Sequence, residues 1–464
     1  MHRAVDVAIV GGGISGLTLA WRLSQRRPDL KVVVLEAESR TGGKILTERV
    51  EVDGDVFLVE GGPDAILTQK PDALALIDEL GLSDQVIPIA QGMPATTLRN
   101  GRPVATPDGL RLITPTRFWP FMRSPLLSPL GKLRLWLDLV LPRRGEGRDE
   151  SQAAFVRRRF GQEAVDRIGE PIIAGIHNGD PERLSIQATF PQLVALEHQH
   201  RSLILGQLAA NRRRGKAPAK PPFVTLRDGM ATLPDVLARR LESVVRLNCE
   251  VGSIHRQDGG FVLKLADGET LIAHQVILTT PASVSARLLG ELAPVAATRL
   301  GELRTIGAGS ISLAYRTPAI ARPLPGYGLV IPQVERRPIN AVTVASSKFA
   351  GRAGAGWTLL RVFFGGVRSP ETLLLDPDVL LQTTHRELQD LLGVMEPPVL
   401  HRIVRWPVGN PQYDVGHLDQ VKSIEDALPD GVLVTGSPYH GVGIPDVVRS
   451  ANATAETVLQ RLQR

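Results

Sequence analysis

Gly11, Gly13 and Gly16 stand in the pattern G-x-G-x-x-G within VAIVGGGISGLTLAWRL, Val7 to Leu23, and Glu36 follows 20 residues after the third glycine. Glycines at that spacing let a chain turn tightly and bring its backbone close to an anion at the start of a helix. A carboxylate further along, at the end of the next strand, can accept hydrogen bonds from a ribose. The chemistry these residues suit is the binding of a dinucleotide, pyrophosphate against the turn and adenosine ribose against Glu36. Gly11 then allows the turn, Gly13 gives the pyrophosphate room and Gly16 permits close helix packing.

Such a site needs a strand, a helix and a second strand to hold it. Val7-Ala8-Ile9-Val10 reads as a buried parallel strand, Ile14 to Gln25 as a helix and Lys31 to Leu35 as another buried strand. Together they make a βαβ unit with a right-handed crossover. Further on, Phe261 to Leu265 and Thr270 to Ile272 flank Asp267-Gly268, a hairpin signal, and the strand Gln275 to Leu278 follows. Gly431 to Gly436 reads as a third strand piece, before a helical tail from Asp446 to Arg464. The expected class is α/β, with one domain assembled from these separated strands and with insertions that build a second layer and a pocket.

Composition narrows the field. The chain has 464 residues, 43% apolar and 22% charged, and its single cysteine, Cys249, cannot form an internal disulfide. No repeat of fixed period is visible, which excludes solenoids and propellers. The net charge of +6 suits anionic partners. The run Arg212-Arg213-Arg214-Gly215-Lys216 lacks interleaved aromatics, so it reads as a solvated loop and no nucleic acid is expected. Lys132, Arg134 and Asp138 interrupt Leu126 to Leu141, which rules that segment out as a membrane span. With no secretory pattern, the expected location is cytoplasmic.

The stretch Glu36-Ala37-Glu38-Ser39-Arg40-Thr41-Gly42-Gly43-Lys44 resembles the E-x-x-x-R-x-G-G-[RK] continuation of the flavin amine oxidase superfamily, and Glu60-Gly61-Gly62-Pro63-Asp64 resembles the motif that passes beside the flavin ring. Four more stretches resemble the protoporphyrinogen oxidase family: Ala174 to Pro181, Leu184 to Pro191, Arg405 to Tyr413 and Gly436 to Asp446. The likeness spans nearly the whole chain. It implies a Rossmann-like FAD-binding domain of the p-hydroxybenzoate hydroxylase type from residues 1–85, 222–288 and 405–464, a helical, membrane-contacting region at 86–221 and a substrate-binding domain at 289–404.

Site residues follow from the same resemblance. Ile14, Ser15, Ala37, Arg40, Gly42, Gly43 and Lys44 would join the glycines around FAD, with Gly61, Gly62, Pro63, Asp64, Trp406 and Gly436 nearer the ring. Val251 maps beside the adenine, and Gly443 with Ile444 begins a helix aimed at the isoalloxazine. Gly175 maps to a backbone position near the substrate and Leu329 to an apolar clamp on its macrocycle.

The implied reaction is oxygen-dependent oxidation of a porphyrinogen to a porphyrin in heme biosynthesis. Three two-electron hydride transfers pass to FAD, and molecular oxygen is reduced to peroxide. Protoporphyrinogen IX is favoured over coproporphyrinogen III because the insertions lack clustered basic residues. The alternatives are coproporphyrinogen III oxidation, an oxidase of amines or carotenoid-like chains, and a flavin- or tetrapyrrole-binding protein without turnover. A downstream ferrochelatase is the expected partner. His177 and His440 are the residues that could serve as a base, although a histidine in a glycine-rich loop is more often an ordinary hydrogen-bonding residue. Lys70, Arg99, Arg111 and Arg117 could meet substrate carboxylates. Some family members carry a propionate-binding arginine near Gly81-Leu82-Ser83, where this chain has Ser83. Phe118 to Met122, with Leu126 to Leu141 after it, could form an apolar lip on a membrane or a helical wall of the pocket.

Overall fold

The computed structural model describes residues 3–145, 148–214, 221–257 and 259–462. The strand Arg3–Val10 is apolar along its whole second half because both of its faces are covered: Val7 and Ile9 enter one core, Ala8 and Val10 the other. It pairs in parallel with Val32–Leu35 on one side and Thr270–Leu278 on the other, and Val432–Val434 runs parallel to the latter. Gly260–Leu265 and Val251–Gln257 extend this sheet antiparallel, forming the expected hairpin. The helices Ile14–Arg26 and Ile444–Arg461 lie side by side over the first core, where Leu17, Ala20, Val448 and Ala451 are buried.

Register brings Val10, Leu35, Leu278 and Val434 to one edge of the sheet. The segments that leave this edge carry Gly11, Glu36, Thr279 and Gly436. Ligands of open parallel sheets bind beyond the carboxyl ends of the strands, so the topology sets the cofactor residues where the sequence needs them.

A second sheet has the order Leu400–Pro411, Thr305–Arg316, Trp357–Gly365, Ala341–Val344, Gly328–Val330, Ala95–Arg99, Arg102–Ala105. The helix Pro377–Leu392 covers one face, with Leu380, Leu388 and Leu391 buried among Ile311, Leu313, Val342 and Val362. The other face meets the hairpin Thr47–Val52 and Asp55–Glu60 through Val50, Phe57, Ala314, Leu359 and Leu400.

Two expected boundaries move. Residues 95–105 join the second sheet instead of a helical region, because Ala95–Arg99 pairs in parallel with Gly328–Val330. The strand Leu400–Pro411 pairs along its length with Thr305–Arg316, so a boundary at 405 would cut it. Helices between Phe118 and Arg214 form a third layer around Phe155, Phe160, Leu135 and Leu203. At its centre Arg159 and Asp138 are both wholly buried, Nε to Oδ1 2.6 Å. Arg212 and Arg213 fall in the last turn of Leu203–Arg214, while residues 215 and 216 of that basic run lie outside the described residues.

Candidate active site

The helix Ile14–Arg26 starts from Gly13 in extended conformation with no side-chain cap and no acidic residue in its first turn, which leaves its positive end for an outside anion. A Cβ at Gly16 would collide with the carbonyl oxygen of Gly11, so only glycine permits this approach of helix to strand. The next glycine turn closes onto the first: Gly42 N–H donates to Gly12 O at 2.9 Å, and Gly13 and Gly42 form an isolated bridge. Ser15 lies beside Gly436, its hydroxyl 3.0 Å from where a Cβ of Gly436 would stand. The polypeptide therefore offers a cradle of backbone N–H groups from three segments, suited to a diphosphate.

Glu36 accepts from Gly12 N at 2.6 Å and from Glu38 N at 2.9 Å, which fixes its carboxylate at the sheet edge while leaving lone pairs for hydroxyl donors. Ala37 follows it. Cys249 N–H donates to Glu36 O at 2.8 Å, tying the segment that leads into Val251 to this edge. Val251 itself is buried at the start of Val251–Gln257, beside a β-bulge. Arg40 turns onto its own loop, donating to the carbonyls of Thr41 at 3.0 Å and Ile45 at 3.3 Å. Lys44 is half-buried, donates to Gly409 O and has no carboxylate partner among the described residues; burial lowers its pKa to about 8.

The segment Glu60 to Asp64 crosses between the sheets. Gly61 N–H bonds Leu46 O at 2.7 Å, Trp406 Nε1 donates to Gly61 O at 2.8 Å and Arg361 Nη1 to Gly62 O at 2.8 Å. A Cβ at Gly62 would collide with Lys44 O. Asp64 pairs with Lys348 at 2.7 Å, which with Arg361 holds its carboxyl below the usual range against the cost of burial. Pro63 stands between Gly62 and Asp64 in the same crossing.

Gly443 caps the helix Ile444–Arg461, and Ile444 is buried at its first turn. Asp446 in that turn pairs with Lys70 at 2.5 Å and Arg449 at 2.6 Å. His177 is near enough to feel both Lys70 and Asp446. It is buried with Nδ1 unpartnered among the described residues, and burial first, then Lys70, lowers its pKa to about 4. That imidazole is neutral near pH 7 and a weak base. His440 faces outward to Glu425, at 2.8 Å, and is exposed. Gly175, in the helix Glu170–His177, is exposed, and no described atom stands within 4 Å of an added Cβ.

Leu329 requires a correction. It pairs with Val342 and packs in the core under Pro377–Leu392, 1% exposed, on the face turned away from Arg361 and Gly62. Strand alternation gives the other face to Gly328 and Val330. Of the candidate anchors, Arg99 stands 4.0 Å from Glu163 and Arg117 3.9 Å from Asp108, while Arg111 is exposed in a short hairpin and Ser83 bonds Asp78 at 2.6 Å. Sequence reasoning missed Arg361, although an arginine inside the apolar strand WTLLRVFFG was a visible signal.

The model of the flavin containing amine oxidoreductase family matches residues 14–459. The chain belongs to that family. It is 36% identical to a coproporphyrinogen III oxidase of Propionibacterium freudenreichii over 98% of this chain and 90% of the relative, and 32% identical to a coproporphyrinogen III oxidase of Bacillus subtilis over 98% of both. A chloroplastic protoporphyrinogen oxidase of Nicotiana tabacum is 30% identical over 99% of this chain and 86% of its own length. Among solved structures, one from Exiguobacterium sp. 255-15, provisionally named protoporphyrinogen oxidase, superposes with a TM-score of 0.87 at 29% identity, covering 99% of each chain.

FAD is the cofactor of this family member, and the residues present fit it. The uncapped helix start, the glycine turns and the half-buried ammonium of Lys44 meet the needs of a diphosphate, and Glu36 those of a ribose. Among the described residues no group of His, Cys, Asp or Glu could hold a metal ion.

Proposed function

We propose that the chain oxidises coproporphyrinogen III to coproporphyrin III, reducing three molecules of oxygen to hydrogen peroxide. The observation that carries this reading is the likeness along the whole chain to enzymes of that name, closer for the Propionibacterium relative than for the tobacco protoporphyrinogen oxidase. This reverses the preference drawn from the basic content of the insertions. Protoporphyrinogen IX is the second reading, supported by the several protoporphyrinogen oxidases at 30–31% identity.

FAD, when bound, accepts the two electrons of each step. The chain's own residues orient and shield. The Glu60–Asp64 turn, locked at both glycine carbonyls, gives the ring a fixed wall. The exposed Gly175 leaves its helix bare where a broad substrate would lie, and the half-buried Phe363, next to Arg361 on the same face of its strand, offers apolar contact. Lys70, partly exposed beside Asp446, places a cation at the rim for a carboxylate. His177, neutral and poorly basic, packs against Phe190 and Tyr413, which leaves the flavin as the acceptor of hydride without an obligatory side-chain base.

The third layer presents Phe118, Trp119, Leu130, Leu133 and Val140 to solvent, whereas Leu126, Leu127 and Leu135 are buried behind them. We infer that this outer face rests on lipid. Among the described residues no helix is long and apolar enough to cross a membrane.

Steady-state kcat/KM for the two porphyrinogens, read by porphyrin fluorescence, tests the substrate assignment. Coproporphyrinogen III should win by about tenfold or more, the size of one well-placed charge contact. A higher value for protoporphyrinogen IX would transfer the assignment to the second reading.

A further inference from the structure

Five charged side chains gather beneath the Glu60–Asp64 turn: Glu60, Asp64, Lys348, Arg352 and Arg361. Asp64 pairs with Lys348 at 2.7 Å, and Glu60 stands 3.7 Å from Arg352. Arg361 is left over. It is 6% exposed, rises from the middle of Trp357–Gly365, and donates to Gly62 O at 2.8 Å and to Ser310 Oγ at 3.1 Å. Among the described residues no carboxylate lies within salt-bridge distance of its guanidinium.

A buried guanidinium facing only neutral acceptors is costly unless an anion completes its surroundings. Burial lowers the pKa of Arg361, against the more distant pull of Asp64 and Glu60, and it raises that of Glu60. Asp228 also acts on Arg352, but from an exposed position, so the buried part of the cluster, Lys348, Arg352 and Arg361 against Glu60 and Asp64, holds one more cation than anion directly under the backbone of the turn. A reduced flavin carries negative charge, and a fixed cation near it stabilises the reduced state.

We propose that Arg361 is a positioning residue for the flavin: it fixes the Gly62 carbonyl and supplies the surplus positive charge that favours the reduced ring. The proposal rests on the reading that the 60–64 turn faces the isoalloxazine, and it is independent of which porphyrinogen is oxidised.

The test equilibrates FAD-loaded protein with a redox dye of similar potential, without substrate, and records flavin absorption bands. Arg361→Met removes charge and donor, Arg361→Gln keeps a donor, and Arg361→Lys keeps the charge. Met and Gln are expected to lower the equilibrium ratio of reduced to oxidised flavin by about tenfold, the scale of one unit charge at several ångströms in partly buried surroundings, with Lys within about threefold of the parent. Trp406→Phe, which removes the donor to Gly61 O, serves as the control for the turn. Shifted bands in Trp406→Phe with unchanged ratios in Arg361→Met and Arg361→Gln would overturn the role of Arg361 and leave the turn beside the ring. Unchanged bands and ratios in every variant would overturn the placement of the turn and the proposal with it. A normal ratio in Arg361→Gln with a lowered one in Arg361→Met would refute the charge and reduce Arg361 to a hydrogen-bond donor.

Discussion

Lys44 makes FAD binding depend on pH in a direction that its surroundings dictate. In the FAD-free protein burial holds its pKa at about 8, against about 10.4 for a lysine in water. Below pH 8 the folded protein keeps this ammonium charged in a half-buried place, at a cost of about 3 kcal/mol relative to the unfolded chain. An anionic cofactor beside Lys44 removes the cost by returning the pKa toward its ordinary value. Binding thus raises the pKa, so the full affinity is present below pH 8 and is lost as pH climbs through the FAD-free value. Working the linkage between those two values gives about tenfold weaker binding at pH 9 than at pH 7. Lys44→Arg stays charged and should bind equally at both; Lys44→Met should bind more weakly at pH 7 and show no slope. Flavin fluorescence titration of the deflavinated proteins measures each constant. A flat profile in the parent, or the same slope in Lys44→Met, would refute the reasoning.

Asp138→Ala takes from the wholly buried Arg159 its nearer carboxylate, leaving Glu197 at 3.5 Å, and removes the acceptor of Ser202 Oγ and Ile204 N, so urea unfolding should show a loss of about 3 kcal/mol. Gly175→Leu puts its side chain into open space: stability should change by less than about 1 kcal/mol, while KM for the porphyrinogen rises about tenfold with kcat nearly kept. His177→Ala should reduce its flavin within about threefold of the parent rate between pH 6 and 9, since a base of pKa about 4 titrates below that window. With anionic vesicles at low salt the protein should co-sediment, and Trp119→Ser combined with Leu133→Ser should release it; no binding by the parent would remove the lipid reading.

The glycine turn was legible because its chemistry is local. Gly11, Gly13, Gly16 and Glu36 lie within one βαβ unit, whose period-two and period-3.6 patterns read directly from the sequence. What joins distant segments was not legible. Lys70 meets Asp446 because the helix Asp72–Glu79 packs on Ile444–Arg461, and Arg361 meets Gly62 because the Glu60–Asp64 segment crosses to the second sheet; no spacing announces either contact. Leu329 sits in a strand of three residues, too short for alternation to say which face is which. The strand Leu400–Pro411 was cut in the expectation because its pattern is blurred: Arg402, Arg405 and Trp406 are neither buried nor fully exposed at the seam between the sheets.

Anaerobic mixing of the FAD-loaded protein with coproporphyrinogen III and, separately, protoporphyrinogen IX tests the central claim most directly. Coproporphyrinogen III is expected to bring rapid loss of the flavin's visible absorbance, followed by porphyrin fluorescence and recovery of the flavin once oxygen is admitted. Flavin that stays oxidised with both compounds would contradict it.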